Sequence, residues 1–195
     1  MSADATARVF IGMGSNLGNS LESLLQAWEA LDHDERIDCV AISSPYVSSP
    51  VDMYSQHWFT NAVGEIRTTL NPYELLEIML SVETALGRVR DGQAFGYQDR
   101  EIDLDLLYYG EQEIDEPELI LPHPHLHDRL FVLSPMAEIA PDFVDCRRGR
   151  TIQELEARLH KSIESGVERK QEISRSTWQE DPQLHVEKQR RAAVS

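Results

Sequence analysis

The stretch Arg100-Glu101-Ile102-Asp103-Leu104-Asp105-Leu106-Leu107 alternates apolar and acidic residues at period two. In an extended strand this puts Asp103 and Asp105 on one face and Ile102, Leu104 and Leu106 on the other. Same-face neighbours stand about 6–7 Å apart along the backbone. Carboxylates at that spacing converge on one or two hard cations, which neutralise their mutual repulsion. The competing reading is an amphipathic strand with a solvated acidic face. Upstream, Arg88 and Arg90 join Arg100 around the acidic pair, a local anion site or a set of solvated surface arginines. A loop with Gly92 and Gly96 leads into the strand, read as about 101–109, and Gly110 ends it.

Working outward, residues 7–13 read as a first buried strand and Gly14 to Gly18 as a turn. Asn19 caps a helix with Glu22 at its third position, and Leu21, Leu24, Leu25, Trp28 and Leu31 repeat at helical spacing. Ile37 to Val47 reads as a strand and Asn61 to Thr69 as another, with an irregular stretch from Ser48 to Trp58 between them. Asn71, Pro72 and Glu74 open a second helix, Leu75, Leu76, Met79, Val82 and Leu86 form its buried face, and Gly87 terminates it. Residues 129–140 read as a short helix, and Thr151 to Ile163 as an amphipathic one.

The order β-α-β-β-α-β predicts an α+β fold with a ferredoxin-like core: an antiparallel sheet with helices packed on its faces. After Glu164 the apolar periodicity fades. Residues 1–163 are therefore expected to form one domain and 164–195 a charged, flexible tail.

The 195 residues carry a formal charge of −16, with 41% hydrophobic and 27% charged residues. That charge argues against binding nucleic acid or an anionic membrane, yet allows a phosphorylated small molecule held by local arginines or a metal. No apolar run approaches the ~18 residues of a membrane span. The N-terminus lacks a basic start and apolar core, so a secretory leader is not expected. Cys39 and Cys146 follow no metal or redox spacing and read as reduced thiols of a cytoplasmic protein.

Several short motifs occur in a shared order: Gly14-Ser15-Asn16-Leu17, Asn61-Ala62, Glu83 followed by Gly87-Arg88-Val89-Arg90, and Arg100-x-x-Asp103-x-Asp105. Leu121-Pro122-His123, Arg129-x-Phe131-Val132-Leu133-x-Pro135 and Glu138-Ile139-Ala140-Pro141 complete them. Over roughly residues 8–145 the chain resembles the 6-hydroxymethyl-7,8-dihydropterin pyrophosphokinase family of folate biosynthesis. The resemblance implies transfer of pyrophosphate from ATP to the pterin hydroxymethyl group, giving AMP, with two magnesium ions on Asp103 and Asp105. It implies that Arg88 and Arg100 act on the phosphates with Arg90 assisting, and that Glu83, His123 and Arg129 belong to the nucleotide site. The pterin would stack on Phe59 and Phe131, with Asn61 reading its edge and the Ser48, Pro50, Val51 loop contacting it.

Those types suit the task. Guanidinium offers planar bidentate bonds to phosphate, and a flat heteroaromatic ring wants aromatic faces and an amide. On their own, Phe59 and Phe131 more often read as core residues, and Glu83 equally as a helix-end surface charge. His123, His125 and His127 alternate, a pattern open to zinc, while His125 and His127 also read as ordinary surface residues of a Pro-fixed loop.

The chain departs from the family where Tyr97-Gln98-Asp99 replaces the usual Trp-Gly-Pro before Arg100, which sets a negative charge beside a phosphate-binding arginine. The tail after 164 has no counterpart in the compact family fold. Alternative readings are a catalytically altered pterin- or nucleotide-binding module, and an interaction domain for another folate enzyme. A monomer is expected.

Overall fold

The computed structural model describes residues 6–50, 57–88 and 99–179. The chain opens with β1 (Ala7–Ser15) and α1 (Ser20–Asp32), followed by β2 (Ile37–Ile42), β3 (Tyr46–Ser48) and β4 (Phe59–Thr68). Helix α2 (Pro72–Ala85) leads on to β5 (Asp103–Tyr109). Then come the hairpin β6 (Ile114–Glu116) and β7 (Leu119–Leu121), a 3-10 turn at Leu126–Asp128, and α3 (Leu130–Ile139). The small pair β8 (Val144–Asp145) and β9 (Arg150–Thr151), α4 (Ile152–Glu164) and β10 (Ile173–Arg175) close the described chain.

The main sheet runs β10-β3-β4-β1-β5, with β2 also on β4, and every pairing in it is antiparallel. β2 and β3 flank successive halves of β4, so together they act as one interrupted strand and give the ferredoxin-like order. The expected single strand over 37–47 is broken at residues 43–45. There the Ser43 hydroxyl accepts the Val63 N–H at 3.0 Å in place of a backbone carbonyl, and Pro45 has no N–H to offer.

Alternation along the strands builds two cores. Val9, Ile11, Met13, Ala62, Ile66, Leu104 and Leu106 pack against Leu24, Ala27 and Leu31 of α1 and Leu75, Met79 and Val82 of α2. Phe10, Val63, Leu107 and Tyr108 pack on the opposite face against α3 and α4. Consecutive Leu107 and Tyr108 share a face because the register with β1 slips between Phe10 and Ile11, the signature of a β-bulge.

Capping sets the helix starts. Asn71–Glu74 and Thr151–Glu154 form complete capping boxes for α2 and α4, whereas Asn19 accepts the Glu22 N–H of α1.

The segment after α4 departs from the expected free tail: residues 173–175 return as the sheet's edge strand on β3. Backbone pairing to an open edge requires no apolar stripe, so hydrophobic periodicity gave no sign of it. β1 likewise runs to Ser15, two residues past the expected strand end, because β4 and β5 pair with it through Gly14.

Candidate active site

One end of the sheet carries a cavity open to solvent. Its floor is a single sheet face. Gly12 and Gly14 of β1 stand between Asp103 and Asp105 of β5 on one side and Asn61 and Val63 of β4 on the other. The two glycines leave the floor low. A Cβ on Gly14 would come within 3.1 Å of Asn61 Oδ1 and one on Gly12 within 3.4 Å of Leu107. Phe59, Ser48 and Ser49 form one wall, and Arg129, Phe131 and Val132 at the entrance of α3 form the other.

Asp103 and Asp105 share this face, as the alternation predicts, but their surroundings differ. Asp103 pairs with Arg88 and, at 2.8 Å, with Arg100. Asp105 keeps a side chain about 40% exposed. Partial desolvation, with the Asp103 charge added to it, pushes its pKa up to about 7. Two carboxylates thus face one cavity, and Arg129 and Arg100 offset their repulsion only in part. The donor set fits magnesium, which takes few carboxylates and completes its shell with water and phosphate oxygens. Among the described residues no cluster of three His, Cys, Asp or Glu forms an all-protein cage.

Glu83 is buried to 1% exposure at the end of α2, not a surface charge. Its carboxylate accepts the Leu104 N–H at 2.8 Å, between the two aspartates, and also pairs with Arg88. It thereby ties α2 to the acidic strand. Arg100 is held from behind: Asn16 Oδ1 accepts its N–H at 2.8 Å, and its carbonyl accepts the Asn16 N–H at 3.1 Å. Asn16 Nδ2 also donates to Asp99 at 2.5 Å, giving that added charge a partner in the clasp. The Arg100 guanidinium lies 5.9 Å from the Phe59 ring centre, and Arg129 lies 5.6 Å from that of Phe131.

Asn61 is buried, and its Nδ2 donates to Ser48 Oγ at 3.0 Å, which orients the amide across the floor. His123 accepts the His125 N–H at Nδ1 (3.3 Å) and places Nε2 3.9 Å from Asp105. Burial, reinforced by Arg129 and His125, lowers its pKa to about 4, so the ring is neutral and the contact is not an ion pair.

His127 is not a surface histidine. Its Nε2 lies 2.6 Å from the fully buried Asp145, which also accepts the Tyr108 hydroxyl at 2.6 Å and the Arg148 N–H at 2.5 Å. His123 and His127 thus face different carboxylates, and the alternating tract splits between the cavity and the second core.

Among the residues expected from sequence, the cavity gathers Ser48, Phe59, Asn61, Arg100, Asp103, Asp105, Arg129 and Phe131. Glu83, Arg88 and His123 reach it through the two aspartates rather than lining it, and Pro50 is outside its lining. Arg90 and Val51 lie outside the described residues. Sequence reasoning missed the floor glycines Gly12 and Gly14, and the clasp role of Asn16. The Gly-x-Gly alternation at the end of an otherwise apolar strand was the available signal.

Residues 10–141, over half of the chain, match the family model described as 7,8-dihydro-6-hydroxymethylpterin-pyrophosphokinase (HPPK). The chain belongs to the HPPK family. The 2-amino-4-hydroxy-6-hydroxymethyldihydropteridine pyrophosphokinase of Methylorubrum extorquens is 42% identical over 162 residues, 83% of this chain and 98% of the relative. The Pseudomonas aeruginosa enzyme of the same name is 39% identical over 135 residues, 69% of this chain and 82% of the relative. The HPPK fold recurs in the crystal structure of wild-type Plasmodium falciparum HPPK-DHPS with SDX-DHP, at a TM-score of 0.66 and 12% identity. That match covers 83% of this chain and 46% of the solved chain, so the present chain spans under half of the protozoan protein.

Proposed function

We propose that the cavity is the pyrophosphoryl-transfer site, with Asp103 and Asp105 holding two magnesium ions between ATP and the pterin. The chain is an ATP-dependent 6-hydroxymethyl-7,8-dihydropterin pyrophosphokinase of folate biosynthesis. In that reaction the pterin hydroxymethyl oxygen forms a bond to the β-phosphorus of ATP. The bond between that phosphorus and the α,β-bridging oxygen breaks, and AMP leaves.

The observation that carries the site assignment is the pairing of Asp103 with two arginines beside an Asp105 whose pKa is raised. Triphosphate is a natural competitor for those guanidinium donors. As Arg88 and Arg100 turn to phosphate, the oxygens of Asp103 become available to a cation. Asp103 and Asp105 would hold the magnesium, which would supply positive charge to offset that developing at the transferred phosphorus and the leaving AMP. Phe59 and Phe131 supply flat apolar faces for the pterin, Asn61 reads its donor–acceptor edge, and Ser48 borders it. Neutral His123 and Arg129 face the nucleotide, Glu83 orients the acidic strand, and Arg90 assists at the phosphates. Positioning and electrostatics account for the catalysis, with little general-base work required.

The side chains assigned to this chemistry all precede residue 164, and the segment after it adds the edge strand β10. The enzyme acts in the cytoplasm as a monomer able to associate with another folate enzyme. The joining of HPPK to DHPS in the protozoan chain supports that association. Among the described residues, no helix is long and apolar enough to cross a membrane.

The test is AMP release dependent on both the pterin alcohol and magnesium. Asp103→Ala and Asp105→Ala should each lower kcat by at least about a hundredfold. Wild-type rates in either variant would refute the metal assignment.

A further inference from the structure

Past α4 the chain makes contacts that the transfer chemistry does not itself demand. Gln171 lays its carboxamide against the backbone on both sides of Arg129. Its Oε1 accepts the Leu130 N–H at 2.9 Å, and its Nε2 donates to the Asp128 carbonyl at 2.7 Å. The two partners fix the amide's orientation, since one can only donate and the other only accept. This is the donor–acceptor pattern of a paired strand, supplied by one side chain.

Helix α3 has use for it. The first N–H groups of a helix lack internal partners, and the residue at the cap position of α3, Arg129, makes no side-chain capping bond. The Arg129 side chain instead lines the cavity. Gln171 therefore caps α3 from a distant part of the chain, at the point where the helix delivers Arg129 and Phe131 to the site.

The next residues grip the opposite wall. The Glu172 carbonyl accepts the Ser49 N–H at 2.9 Å, and the Glu172 N–H donates to Ser49 Oγ at 3.3 Å. Ile173 to Arg175 then pair with Ser48 to Tyr46. Five consecutive residues thus connect the α3 entrance to the Ser48–Ser49 edge, two elements that wall the cavity.

We propose that Gln171 is a positioning residue of the pyrophosphokinase, aiming Arg129 and Phe131 by fixing the backbone around Arg129, while residues 172–175 set the distance to the Ser48–Ser49 wall. The strap lies beyond residues 10–141, the part of the chain the family pattern covers. The proposal rests on the assignment of Phe131 to the pterin.

The test compares steady-state kinetics of Gln171→Ala and Gln171→Met, the second keeping side-chain length without the two hydrogen bonds, with Phe131→Ala as a reference. All are assayed well below their melting temperatures, so that the folded fraction does not enter. Both Gln171 variants should raise KM for the pterin alcohol about tenfold, the scale set by a displaced binding group, and speed hydrogen exchange at the Leu130 amide. A wild-type KM in both, beside a raised KM in Phe131→Ala, would reduce Gln171 to a structural contact and overturn the proposal. A wild-type KM in Phe131→Ala would overturn the reading of that wall, and the proposal with it.

Discussion

At the scale of single residues, Asp105 concentrates the conflict between stability and function. An aspartate in the unfolded chain titrates near 3.8, and in the fold near 7. Between those values the native state keeps a proton that the unfolded chain has released, so stability falls as pH rises across the window. Above pH 7 the full penalty applies. Asp105→Asn should therefore raise the melting temperature of metal-free protein at pH 8, by about 2–4 °C once solvent screening of the part-exposed carboxylate is allowed for. It should also abolish turnover. A lower melting temperature would show that the carboxylate is not held against its own charge. His123 behaves in the opposite sense. Its folded pKa of about 4 lies below the ordinary 6.5, so the unfolded chain binds the proton first and stability is lost as pH falls from 6.5 toward 4. Its ring proton resonances should not titrate between about pH 5.5 and 8 by NMR; a midpoint near 6.5 would contradict the buried neutral ring. The shared face of Asp103 and Asp105 was legible from strand alternation, whereas the placement of Asn61, Phe59 and Phe131 at the same cavity was legible only through the family resemblance. The buried state of Glu83, the Asp145 partnership of His127 and the bonds of Gln171 were not, since each depends on a partner far away in the chain.

At the scale of elements, α1 meets the sheet through a side-chain vacancy. Gly64 of β4 lies under Trp28, where an added Cβ would come within 2.2 Å of the indole. The ring is rigid, so relief requires moving α1 or bending β4. Gly64→Ala should lower the unfolding free energy by about 1–3 kcal/mol, read by urea titration with an unchanged slope. An unaltered midpoint would mean that the helix shifts freely. Helix limits were legible because caps are local chemistry: Asn71, Pro72 and Glu74 announce α2 in four consecutive residues. Strand limits were less so. The break between β2 and β3 hangs on one serine hydroxyl, and β10 on an edge that only the assembled sheet presents.

The whole molecule is a sheet used on both faces, one given to α1 and α2, the other shared between a second core and the reaction cavity. It carries a net charge of −16. Self-repulsion of that size favours the expanded chain, and added salt screens it. Raising NaCl from about 20 to about 300 mM should increase the melting temperature; a decrease would mean that local ion pairs such as Arg100–Asp103 outweigh the global term. The edge strand has a further consequence, for the order in which the protein is made. β3 leaves the ribosome some 125 residues ahead of the segment that covers it. At ordinary translation speeds that is a delay on the order of ten seconds. During it the nascent chain carries an open strand edge beside the Ser48–Ser49 wall of the cavity, where a chaperone or a second nascent chain can bind first. Completion of the sheet beside the cavity thus waits on residues 173–175, and a message truncated shortly after α4 would yield a protein with its sheet edge still open.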